Sequence, residues 1–108
     1  MEASTPPVNV YEGNGQLSVA TPLPGARPDQ VQVVVSPTAV RIAAIGKYPQ
    51  DSQHYHLHEW QVSAWERAVT LPKRVDPGAS RATLNRGVLV VMAPISPTGD
   101  GESRPQVE

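Results

Sequence analysis

The sequence predicts an all-β chain, an immunoglobulin-like β-sandwich of about eight short antiparallel strands. Three observations lead there. Short runs alternate apolar and polar residues with period two, from Val8-Asn9-Val10-Tyr11-Glu12 near one end to Ala82-Thr83-Leu84-Asn85 near the other. Gly, Pro, Asn and Ser, the turn formers, separate those runs at close intervals. Twelve prolines in 108 residues argue against long helices, because proline breaks an interior helical turn.

The elements follow in order. Residues 1–7 are a short polar arm with two prolines, expected to be loose. One domain is expected over residues 8–95. Val8 to Glu12 is its first strand, and Gly13-Asn14-Gly15 turns the chain because these residues tolerate positive φ. Leu17, Val19 and Thr21 share one face of the second strand. Pro22 to Pro28 is a loop. Val31 to Val35 is the third strand, apolar at three consecutive positions, so both its faces are expected to be covered. Val40, Ile42 and Ala44 then alternate with Arg41 and Ala43 up to Gly46.

Residues 47–53 form a polar loop. His54 to Gln61 alternates strictly and reads as a strand, with His54, His56 and His58 on one face and Tyr55, Leu57 and Glu59 on the other. Trp65, Arg67, Val69 and Leu71 share a face of the next strand, which Pro72 ends. The last hairpin runs through Ala82 to Asn85, a tight turn and Val88 to Met92. Gly87 supplies the positive φ of that turn. Val88 to Met92 reads as a strand buried on both faces, and Pro94, with no N–H to donate, stops it. Residues 96–108 are rich in Pro, Gly, Ser and charge and are expected to be a disordered tail.

Composition removes several functions. A formal net charge of -1 gives no reason to expect nucleic acid or an anionic membrane as partner. With no cysteine there is no disulfide, thiol catalysis or cysteine-ligated zinc. No run approaches a membrane span, and Met1 to Thr5 lacks a charged-then-apolar signal pattern, so a cytoplasmic protein is expected. Nucleophile-elbow, phosphate-loop and dinucleotide motifs are all missing, so neither an enzyme nor a cofactor is expected.

Three constellations remain. His54, His56 and His58 recur with roughly 7 Å between successive Cα atoms of a strand. Imidazoles so placed can share a zinc ion; the simpler reading is a solvated strand face, and no metal is expected. Arg67 and Glu59 each share a strand face with apolar residues. A buried charge without a partner is costly, so the two are expected to pair, within one subunit or across a dimer; on edge strands they would instead reach water. Finally, an apolar groove between the third strand and the strand starting near Arg81 would dock peptide segments, against ordinary core packing.

Several segments, in order, resemble the α-crystallin domain of bacterial and plant small heat-shock proteins. They are Val8 to Glu12; Leu23-Pro24-Gly25 with Pro28 and Val31-x-Val33-x-Val35; Glu59 followed by Trp65-x-Arg67 and Leu71-Pro72; and Ala82 with Gly87-Val88-Leu89 and Pro94. The resemblance implies an ATP-independent holdase that binds partly unfolded client proteins under stress. It also implies a homodimer, in which a strand at about His54 to Gln61 pairs with about Val8 to Glu12 of the other chain. Val8, Val10, Tyr11, Tyr55, Leu57, Glu59 and Arg67 would form that interface, with Arg67 the family's arginine and Glu59 its acidic partner. The peptide groove would lie between Val33/Val35 and Ala79/Arg81.

Some positions depart from the family. Arg86 stands where Asn or Asp is usual, and Ile95 where lysine is usual. The arm is short, and Arg104-Pro105-Gln106-Val107-Glu108 lacks an Ile-x-Ile anchor. A dimer with little higher assembly, and weak or altered chaperone activity, is therefore expected. Two other readings share the fold class: a p23-like co-chaperone binding one folded partner, and a scaffold or adhesion β-sandwich. Glu59 with Trp65-x-Arg67, and Gly87-Val88-Leu89, favour the heat-shock family.

Overall fold

Seven strands pair in two antiparallel sheets in the computed structural model, which describes residues 4–45, 54–57, 59 and 64–108. One sheet has the order β1 (Asn9–Gly13), β2 (Gln16–Pro22), β7 (Val88–Pro94), β6 (Arg81–Asn85). The other has the order β3 (Val31–Val35), β4 (Ala39–Ile45), β5 (Ala64–Thr70). The two pack face to face as a sandwich.

Side-chain alternation decides which face each strand buries. In β4, Val40, Ile42 and Ala44 point inward while Arg41, Ala43 and Ile45 are exposed. Trp65 and Val69 of β5 face the same core, with Arg67 half-buried between them. Leu23, Val35, Val75 and Leu89 have no accessible surface, so a chain without phenylalanine builds its core from aliphatic side chains.

Two-sided burial does not occur where it was expected. Leu89, Val91 and Ala93 of β7 are buried, but Val88 is exposed and Val90 and Met92 are half-buried. In β3, Val34 is half-buried and Gln32 exposed. A two-layer sandwich covers one face of each sheet. The β-branched runs answer strand propensity rather than burial on both sides.

The β1–β2 and β6–β7 hairpins use two-residue turns with positive φ at each central position. Asn14 and Gly15 have φ of 53° and 74°, and Arg86 and Gly87 have 53° and 79°. Such turns match the right-handed twist of the flanking strands. Pro28 and Pro77 each open a single 3₁₀ turn, at Pro28–Gln30 and Pro77–Ala79. The second is capped by the Asp76 carboxylate, which accepts from the Gly78 N–H at 3.0 Å.

The chain ends depart from expectation. The arm is not loose over its described residues. Ser4 makes a parallel bridge to Trp65, with the Ser4 N–H donating to the Ala64 carbonyl at 2.8 Å and the Glu66 N–H to the Ser4 carbonyl at 3.0 Å. The tail is not disordered. Ser103 exchanges both backbone hydrogen bonds with Val35, at 2.8 and 2.9 Å, and Val107 bridges Ala82. Composition misreads both ends because sheet edges bind them through backbone N–H and C=O groups, which every sequence carries except at proline.

The expected strand from His54 to Gln61 also differs. His54 to Leu57 and Glu59 are exposed and lie in no strand, while His58, Trp60 and Gln61 lie outside the described residues. So do residues 1–3 of the expected arm and 47–53 of the expected loop. Among the described residues, no helix is long and apolar enough to cross a membrane.

Candidate functional site

The two sheets have four edges, on β1, β6, β3 and β5. An edge strand presents unpaired N–H and C=O groups and is a template for another chain. Among the described residues, the chain's own ends pair through the backbone with three of these edges, and the fourth has no backbone partner on its open side.

The tail covers two edges at one seam. Ser103 pairs with β3 at Val35. Five residues on, the Glu108 N–H donates to the Ala82 carbonyl at 3.1 Å, and the Leu84 N–H donates to the Glu108 carbonyl at 2.7 Å. Val107 buries its side chain there, at 8% exposed. This seam lies where a groove was expected, between Val33/Val35 and the strand starting near Arg81, and the chain's own tail occupies it. Val33 and Val35 are buried at its floor. Ala79 and Arg81 are exposed, and neither pairs with the tail; Ala82 and Leu84 do. A hollow of about 470 Å³ persists beside the tail, lined in part by Val31, Val33, Pro105 and Val107.

The sequence reading missed Val107, Ala82 and Leu84 as groove residues. One signal was present: Val107 is the only aliphatic side chain between Ser96 and Glu108.

Upstream of the seam the Ser96 N–H donates to the Arg74 carbonyl at 2.8 Å, and two further contacts hold the tail. Arg74 Nε donates to the Gly99 carbonyl at 2.7 Å. Gly99 rests on the backbone of Val75 so closely that an added Cβ would overlap the Val75 carbonyl.

The arm works at the opposite seam. Beyond Ser4 the ladder on β5 stops, because Pro6 and Pro7 have no N–H. Their carbonyls accept side-chain donors instead. Arg67 Nη1 donates to the Pro6 carbonyl at 3.3 Å, and Thr21 Oγ1 donates to the Pro7 carbonyl at 2.7 Å. The arm therefore ties β5 to β2 before it enters β1.

β1 carries the uncovered edge. It pairs with β2 alone among the described residues, and all five of its residues are exposed. Val10 and Tyr11 are 38% and 52% exposed, and Val8 is half-buried beside them. Tyr55 and Leu57 also show apolar surface, at 40% and 74%.

The expected charge pair is not made within one chain. Among the described residues the ion pairs are Arg27–Asp29 and Lys73–Glu12, at 3.5 and 3.0 Å. Glu59 is exposed, and Arg67 is half-buried against a neutral carbonyl. Alternation placed Arg67 correctly on the inward face; the arm supplies an acceptor that the spacing does not reveal. The rings of His54 and His56 meet edge to face with centroids 5.4 Å apart, and His58 lies outside the described residues. Among the described residues, no group of three or more metal-ligating side chains is gathered.

Comparison with known proteins adds the following. The family model described as Hsp20/alpha crystallin family matches residues 9–107. Spore protein SP21 of Stigmatella aurantiaca is 30% identical over 99 residues, which cover 88% of this chain and 57% of that protein. Heat shock protein 16 of Schizosaccharomyces pombe is 26% identical over 94 residues, covering 83% and 66%. The chain thus spans less than two thirds of the length of these curated relatives. Among solved structures, Heat shock protein 16.0 from Schizosaccharomyces pombe shares the fold with a TM-score of 0.81 at 23% identity, over 90% of this chain and 71% of that one.

Proposed function

Because the chain belongs to the Hsp20/alpha crystallin family, we propose that it is an ATP-independent holdase whose working unit is a homodimer. It keeps partly unfolded proteins from aggregating by binding rather than by catalysis. The observation that carries the dimer is the uncovered β1 edge, with Val10 and Tyr11 exposed along it. A second copy supplies the missing strand from about His54 to Gln61. Its backbone takes up the open N–H and C=O groups of β1, and Leu57 and Tyr55 cover apolar surface that water touches in one chain alone.

In that dimer Val8, Val10, Tyr11, Tyr55, Leu57, Glu59 and Arg67 form the interface. Glu59 of the second copy reaches Arg67. A half-buried guanidinium held by one neutral carbonyl gains a charge-assisted bond there. The groove at Val33 and Val35, flanked by Ala79 and Arg81, is a second docking place for peptide segments once residues 103–108 leave it. A groove occupied in cis supports the expectation of little assembly beyond the dimer. The reading places the protein in the cytoplasm, which fractionation of the producing cell tests.

Light scattering from a heat- or reductant-destabilised client, without ATP, tests the holdase. Scattering is expected to fall as this protein is added. No suppression at several-fold molar excess rejects the reading. Sedimentation tests the dimer separately: a clean monomer at every concentration removes it.

A further inference from the structure

We propose that the seam between β5 and β2 is a recognition site for an extended segment with two consecutive prolines, and that the arm's Pro6-Pro7 is its resident occupant. The ligand that displaces the arm is a diproline segment of a partly unfolded client. The holdase reading above names that partner; the site itself is built from Ser4 to Pro7 and the side chains that hold them.

The seam grips the arm at three positions. The Ser4 N–H donates to the Ala64 carbonyl at 2.8 Å, and the Glu66 N–H donates to the Ser4 carbonyl at 3.0 Å. Arg67 Nη1 donates to the Pro6 carbonyl at 3.3 Å, and Thr21 Oγ1 donates to the Pro7 carbonyl at 2.7 Å. Pro6 is buried, and Thr21 is 1% exposed. Arg67 lies on β5 and Thr21 on β2, one in each sheet. Two adjacent carbonyls are therefore held by two different sheets.

That arrangement suits the polyproline II conformation. It has three residues per turn and no internal hydrogen bonds, so successive carbonyls point about 120° apart and are free to accept. The ring of Pro6 fixes its φ, and Pro7 after it pushes Pro6 to the extended region. A diproline segment thus arrives already in shape and gives up little freedom on binding. Arg67 and Thr21 meet main-chain carbonyls, which every residue offers, so the two prolines carry the selection rather than the side chains around them. Such a site accepts clients of varied sequence.

An empty seam costs stability, because the buried Thr21 hydroxyl and the half-buried Arg67 lose the acceptors that the arm gives them. The arm, joined to β1, competes at an effective concentration on the order of millimolar. A client segment enters when the arm frays, and the arm returns when the client leaves.

The test follows amide exchange and peptide binding on the full chain. Pro6→Ala with Pro7→Ala keeps the arm but frees its backbone. It is expected to speed exchange at the Glu66 amide, which is bonded to Ser4, by about tenfold. A dye-labelled peptide Ser-Thr-Pro-Pro-Val is expected to bind this variant, and Ser-Thr-Ala-Ala-Val about tenfold more weakly. Adding Thr21→Val is expected to weaken the diproline peptide about fivefold, the share of one hydrogen bond, while Thr21→Ser spares it. Unchanged exchange at Glu66, no binding of the diproline peptide, or equal binding of the two peptides overturns the site. Should the variant lose its cooperative unfolding transition, the unaltered chain decides. Its Glu66 and Thr21 amide resonances are expected to shift with the diproline peptide at millimolar concentration, and no shift overturns the site. Peptide binding and client scattering are separate readouts, so failure of this site and failure of the holdase reading are told apart.

Discussion

Arg86 pays a conformational cost that its counterpart Asn14 avoids. Both residues take φ of 53° at the first central position of a two-residue hairpin, each followed by glycine. Both side chains crowd the following carbonyl through Cβ there, but asparagine's short polar side chain offsets this by bonding locally, and arginine's long one does not. Arg86→Asn is expected to stabilise the fold by about 1 kcal/mol, read as a raised midpoint in chemical unfolding; no shift or a lower midpoint rejects the comparison. Arg67 is the second informative residue. Alternation put it on the inward face, and the structure keeps it there, half-buried and bonded to Pro6. A double-mutant cycle of Arg67→Met and Glu59→Gln on dimer dissociation is expected to show coupling of about 1–2 kcal/mol. Additive effects would mean that the two do not meet across the interface.

Among the elements, the tail differs most from its composition. It crosses from β3 to β6 and bonds to both, so it staples the two sheets at one seam. Gly99 lets it lie against Val75, and no other residue type leaves room there. Gly99→Ala is expected to cost about 1–3 kcal/mol, the range for overpacking. It should also speed exchange at the Val35 and Leu84 amides, both bonded to the tail; protection unchanged at both would contradict this. Removing residues 103–108 is expected to open the groove. A peptide of sequence Ser-Arg-Pro-Gln-Val-Glu should then bind the shortened chain and compete poorly for the full one. Equal binding to both would show that the tail does not cap the groove.

Across the whole molecule, the sheet edges carry the proposed dimer. The tail closes β3 and β6, the arm covers the start of β5, and β1 stays uncovered among the described residues. With one uncovered edge per chain, the dimer proposed above is expected to be an isologous pair, a closed assembly, rather than a fibre. Sedimentation is expected to give twice the 11.6 kDa of one chain, with little larger material. A broad distribution of larger species would show that the cis tail yields to neighbouring copies.

Local pattern was enough to read the strands at residues 9–45 and 64–94, the inward faces of β2, β4 and β5 and the positive φ at Gly87, whereas the apolar runs of β3 and β7 were read as covered on both faces and are covered on one. Each of these follows from a side chain and its neighbours in sequence. The segment motifs carried the family, which the match over residues 9–107 establishes. Tertiary structure alone decided the rest: the docking of Ser4 on β5, the seating of Ser103 and Val107 across the groove, and the choice of Pro6 rather than Glu59 as the acceptor for Arg67 within one chain. Those contacts run through backbone N–H and C=O groups at sheet edges. Such groups are the same in nearly every residue, so no side-chain pattern announces where they will pair.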